Sequence, residues 1–114
     1  MPPLSEDLSA VASERLAELS AKSFDELVML PRQSSEEVTR NKNKLTVSLW
    51  HDLLDSGEHR IVVQVGKPGM LASWRFHADG FVIKSASERR ALTVDERSPF
   101  IYIFLYAKFH DQAL

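Results

Sequence analysis

The 114-residue sequence contains no cysteine, only four glycines and no long apolar segment. Without cysteine the chain cannot form a disulfide framework, a thiolate-ligated zinc site or a cysteine nucleophile. The glycines, at positions 57, 66, 69 and 80, match neither a phosphate-binding loop nor a nucleophile elbow, because both motifs require other fixed spacings. The longest apolar run, residues 100–107, is far shorter than the roughly 20 residues of a membrane-spanning helix.

Composition and charge predict an ordinary globular protein. Hydrophobic residues make up 44% of the chain and charged residues 26%, with a net charge of −2, which suits a single α+β domain over residues 1–114. The first residues lack the basic and apolar regions of a signal peptide, so we expect a cytoplasmic protein without membrane association. No spacing of polar residues indicates a catalytic centre, a bound metal or a cofactor, and we predict none of them.

Two helices are predicted at the start of the chain. The first begins near Ser5, an expected N-cap, and its apolar residues recur at helical period. These residues are Leu8, Val11, Ala12, Leu16 and Leu19. The second begins at Ser23, where Glu26 completes a capping box, and ends before Pro31. Residues 31–37 are polar and predict a connection.

Strand patterns begin at Val38. A short strand near Val38 is followed by a polar turn at residues 40–44. The turn leads into a longer strand whose alternate residues from Leu45 to His51 share one face. A three-residue loop at 55–57 then returns the chain, with Gly57 in the left-handed conformation that such loops need. In this register the apolar residues of the two strands face each other, and Asp52 lies opposite Arg60 in a favourable ion pair.

A second hairpin is predicted with its turn at Asp79-Gly80, a strong sequence signal for such turns. The segment 100–109 is open between helix and strand. Its aromatic and β-branched residues favour a strand, whereas the capping-box pattern of Thr93 and Glu96 before it favours a helix. The predicted fold is therefore α+β: two N-terminal helices, a meandering antiparallel sheet of about five strands, and a C-terminal helix or strand.

An apolar sheet face is the main functional hypothesis. Trp50 and Val62 are expected opposite each other, on the face away from the helices, and Trp74 and Phe81 are candidates to extend it. A sheet with apolar residues on both faces must cover both, and either the C-terminal apolar segment or another molecule could cover this one. With another molecule as the cover, the protein is a non-catalytic interaction or regulatory module. It would bind another protein or a second copy of itself.

Two further hypotheses rest on other residues. His51 and His59 are expected as diagonal neighbours on one face, where they could bind a small ligand or help to hold a metal. A domain of this second kind could be an enzyme. Arg40, Lys42 and Lys44 form the densest basic cluster, which would suit nucleic acid. The net negative charge makes nucleic acid the weakest of the three hypotheses.

Overall fold

The computed structural model describes residues 4–68 and 74–97 and shows an α+β fold in which two helices precede an antiparallel sheet. The helices are α1 (Leu4–Ser20) and α2 (Phe24–Val28). The strands are β1 (Gln33–Arg40), β2 (Asn43–Leu53), β3 (His59–Pro68), β4 (Trp74–Ser85) and β5 (Glu88–Ala91). The sheet order follows the chain, β1-β2-β3-β4-β5, and a short helix at 94–97 comes after β5.

Both helices form as their sequences predict, except that α1 begins before its predicted N-cap. The apolar stripe of α1 packs mainly on β3 and β4. Ser5 lies inside α1 and is therefore not its N-cap. Ser23 caps α2 with the predicted capping box, in which its hydroxyl accepts from Glu26 N–H at 3.2 Å. Such a cap stabilises a helix by about 1 kcal/mol, and the fully buried Leu27 fastens α2 to the core.

The hairpin between β2 and β3 has the predicted register. His51 pairs with Ile61 and Asp52 with Arg60, whose guanidinium lies 2.9 Å from the carboxylate. The loop closes by a hydrogen bond from Leu54 N–H to Glu58 O, and Gly57 has a φ of 88°. The apolar pairing on the core face therefore identified the register correctly.

The polar stretch after α2 is a strand and not a connection. β1 begins at Gln33 and pairs with β2 up to the turn at Asn41-Lys42, where both residues have positive φ. This geometry is that of a tight two-residue hairpin. Because the side chains of β1 are mostly exposed, the strand has no apolar alternation by which its sequence could be recognised.

The predicted hairpin at Asp79-Gly80 is wrong. β4 continues from Trp74 to Ser85 and pairs with β3 along its length, so Asp79 and Gly80 lie inside the strand. A Cβ on Gly80 would come within 2.0 Å of Ile61 O. Glycine is required here by the close approach of two backbones and not by a turn.

The end of the chain is only partly described. Thr93 and Glu96 form the predicted capping box at the short helix, with Glu96 N–H donating to Thr93 Oγ1 at 3.1 Å. The segment 100–109, predicted as helix or strand, lies outside the described residues. Within the described ranges, no helix is long and apolar enough to cross a membrane.

Candidate interaction surface and histidine pair

The sheet separates two apolar clusters. The cluster on the helix side contains residues of α1, α2 and the central strands. The second cluster contains no residue of either helix and is formed by Val62, Ala78, Val82 and Leu92, with Trp50 and Leu54 packed at its margin. We call the sheet face that carries this second cluster the outer face.

Trp50 lies where the sequence places it, opposite Val62 on the outer face. Its indole N–H donates to Gln64 Oε1 at 3.1 Å, and the Gln64 side chain is only 2% exposed. A buried amide therefore holds the indole in one orientation while the ring stays half-buried at the surface. The sequence analysis did not identify Gln64, although a polar residue within an apolar strand is a signal for such a contact.

Two of the other three predicted surface residues, Val62 and Phe81, do not join Trp50 in one exposed patch. Val62 is fully buried and supports the cluster from within. Phe81 belongs to the helix-side core, where it is 9% exposed and Arg89 lies over its ring at 5.6 Å. Phe81 lies on this face because β4 continues through Asp79 and Gly80 without a turn. The backbone of Trp74 begins β4, but its side chain is outside the described part of the structure.

Beside Trp50 the sheet ends in β1, an edge strand of which the sequence predicted only a short part near Val38. Gln33 pairs with Trp50. The hydrogen bond from His51 N–H to Arg32 O, 2.9 Å long, shows which of the paired residues in β1 and β2 are hydrogen-bonded to each other. Hydrogen-bonded and non-bonded pairs alternate in antiparallel sheets. The even-numbered residues of β1 therefore bond to β2, and the backbone groups of its odd-numbered residues point away from the sheet.

The two predicted histidines are in direct contact. His51 Nε2 lies 2.9 Å from His59 Nδ1, and His51 Nδ1 lies 3.0 Å from Leu30 O. A carbonyl oxygen only accepts hydrogen bonds, so His51 carries its proton on Nδ1 and accepts at Nε2. His59 then donates from Nδ1. The pair joins the end of α2 to the hairpin of β2 and β3.

The surroundings of His59 favour its neutral ring. Burial, with Phe24 edge-on to the His59 ring at 6.1 Å between centroids, lowers the pKa of His59, and the proximity of His51 lowers it further. Two imidazole nitrogens at this distance could contact one ion. In the described ranges, however, no group of three or more histidine, aspartate or glutamate side chains is placed to hold a metal.

The predicted basic cluster is partly neutralised. Arg40 Nη1 donates to Glu14 Oε1 at 2.6 Å, and its Nε lies 4.0 Å from the buried Asp7 carboxylate. Lys42, in the turn, and Lys44, at the start of β2, are exposed. One of the three basic groups is therefore paired with acidic side chains, although it stays partly exposed.

Comparisons with known proteins add no further assignment. The chain matches no protein-family model, no curated protein and no solved structure.

Proposed function

We propose that this protein is a non-catalytic interaction module that binds another polypeptide at the β1–β2 side of its outer face, with Trp50 as the anchor. The observation that carries the proposal is the half-buried indole whose N–H is held by Gln64 at 3.1 Å. Residues that dominate binding are enriched in tryptophan, and a fixed orientation lowers the entropy lost on binding.

The position of Trp50 supports the same proposal. It lies on the second strand of the sheet, next to the exposed Gln33 of the edge strand. Beneath it, the outer-face cluster gives a rigid apolar base. A partner that covered the indole would therefore meet an ordered surface with polar groups at its rim, which is the usual anatomy of a protein interface.

The test is capture of binding proteins from a lysate of the expressing cells, followed by reconstitution with the purified partner. We expect a stoichiometric partner whose affinity falls about 30-fold or more in Trp50→Ala, the effect of losing a central anchor. Because Trp50→Ala also removes a hydrogen bond to a buried amide, Gln33→Arg serves as a second variant that changes only the exposed neighbour. Met29→Ala, which shortens an 81% exposed side chain at the end of α2, is the matched control.

Two results would contradict the proposal. One is that the wild-type protein captures no partner that binds again after purification. The other is a partner whose affinity is unchanged by both Trp50→Ala and Gln33→Arg, or is reduced equally by Met29→Ala.

A second candidate function is binding of a divalent metal or a small ligand at His51 and His59. The contact between their ring nitrogens favours it, as does the bond from His51 Nδ1–H to Leu30 O, which orients Nε2 toward His59. Zinc, nickel or manganese should then raise the melting temperature of the wild-type protein but not of His59→Gln. Equal shifts in the two proteins, or no shift in either, would argue against metal at this pair.

A further inference from the structure

Among residues 4–68 and 74–97, no strand other than β2 pairs with β1, and most residues of β1 are exposed. Residues 33–37 and 39 are exposed, and the phase of the ladder directs the N–H and C=O groups of Gln33, Ser35, Glu37 and Thr39 away from β2. Such a row is a template for another strand. This observation is independent of the apolar cluster around Trp50.

We propose that the occupant is a second copy of this chain, whose β1 pairs antiparallel with the first across a two-fold axis at Val38. The proposal goes beyond the interaction at Trp50, because it names a different partner and a different surface. Two five-stranded sheets would then join into one continuous sheet. Closed two-fold dimers are the commonest form of soluble oligomer.

Charge selects the register. Among the residues of β1, the acids are Glu36 and Glu37 and the only base is Arg40. An axis at Val38 places Glu36 opposite Arg40 of the second copy, whereas an axis at Glu36 or Glu37 places like charges opposite each other. In an allowed register, the axis passes through a residue and the odd-numbered residues of one copy hydrogen-bond to those of the other. Among these registers, only the one with its axis at Val38 places an acid of β1 opposite a base of β1.

The ion pairs within each copy continue across this axis. Arg40 is bound to Glu14, and Glu36 is bound to Arg15 on the same side of the sheet. The dimer would therefore place four side chains in a row of alternating sign, Glu14 and Arg40 from one copy followed by Glu36 and Arg15 from the other. Networks of this kind contribute more than isolated surface pairs.

Thr39 gives a sharp test, because the register places it opposite Glu37 of the second copy. Thr39→Lys should strengthen association and Thr39→Glu should weaken it, each by about 2- to 30-fold, since two symmetric cross-strand pairs change. Within one copy Thr39 faces Lys44. Thr39→Lys should therefore lower the stability of the monomer and Thr39→Glu should raise it, which is opposite to their expected effects on dimerisation. An effect on folding therefore cannot imitate the expected effect on the dimer.

The experiment is sedimentation of the full chain from micromolar to millimolar concentration, with Ser87→Lys and Ser87→Glu, in the exposed turn after β4, as matched controls. Amide hydrogen exchange is measured on the same samples. We expect concentration-dependent dimerisation that follows the charge at position 39 only, with slower exchange of the Glu37 and Thr39 amides in the dimer.

A protein that stays monomeric throughout would overturn the proposal. So would a dimer that ignores the charge at position 39, or one that leaves the Glu37 and Thr39 amides unprotected. None of these results touches the Trp50 proposal, whose readout is a different polypeptide lost in the Trp50→Ala variant.

Discussion

Replacing the buried Asp7 should destabilise the fold through one tertiary contact. Its carboxylate, in the first turn of α1, accepts from Asn41 Nδ2 at 2.7 Å and from Asn43 Nδ2 at 3.1 Å. The side chain is 2% exposed. Asp7 therefore fastens the start of the chain to the tight turn between β1 and β2.

The expected cost follows from these two bonds. Each hydrogen bond to an ionised acceptor contributes about 1.5–3 kcal/mol, and less where the donor can turn to water. Since Asn41 is exposed, we expect Asp7→Ala to lower the free energy of unfolding by about 2–4 kcal/mol. Asp7→Asn keeps the shape but turns one acceptor into a donor that faces another donor, so it should recover little of the loss.

Urea denaturation of the wild type, both Asp7 variants, Asn43→Ala and the double variant Asp7→Ala with Asn43→Ala measures these effects. The midpoint should fall without a change in the denaturant slope. The double-mutant cycle should show a coupling of at least about 0.5 kcal/mol between Asp7 and Asn43. A loss below about 1 kcal/mol in Asp7→Ala would refute the reasoning, because the contact would then be no stronger than one neutral hydrogen bond.

Three other results are expected. Gly80→Ala should destabilise the protein by more than about 2 kcal/mol in urea denaturation, since its Cβ would collide with the backbone of Ile61; a stable variant would show that the strands can separate there. The lowered pKa of His59 means that the unfolded chain binds more protons, so stability should fall as pH decreases below 6.5, and less so in His59→Gln; parallel stability curves would exclude His59 as the cause. The bonds of Glu96 to Arg90 lower its pKa from 4.5 to about 2, so NMR titration should find this carboxyl ionised at pH 3; Arg90→Ala should return the pKa toward 4.5, and an unchanged value would assign the shift elsewhere.

The sequence predicted the parts of the fold in which local chemistry and the core agree. The capping box at Ser23, the left-handed Gly57 and the facing apolar residues of β2 and β3 each allow one arrangement. The contact of His51 with His59 follows from that register. These features could be identified because short-range geometry alone determines them.

The prediction was wrong where a residue type serves a structural purpose other than the one that its local pattern indicates. Gly80 is required by the close approach of Ile61, and no local pattern distinguishes this need from a hairpin turn. That error also placed Phe81 on a surface, whereas it lies in the core. Only the end of β1 near Val38 was predicted, because an exposed edge strand has no apolar period. The contact of Gln64 with Trp50 lies within the β2–β3 register that the sequence does predict, so it could have been inferred from the sequence.

The order of the strands has a consequence for how the protein folds during synthesis. Each strand pairs with the next along the chain, so most sheet contacts join residues of small sequence separation, which favours rapid folding. The exception is α1, which is made before β3 and β4 but packs on both of them. The apolar stripe of α1 therefore stays exposed to solvent until β3 and β4 have been synthesised. During this interval a nascent chain would most need a chaperone.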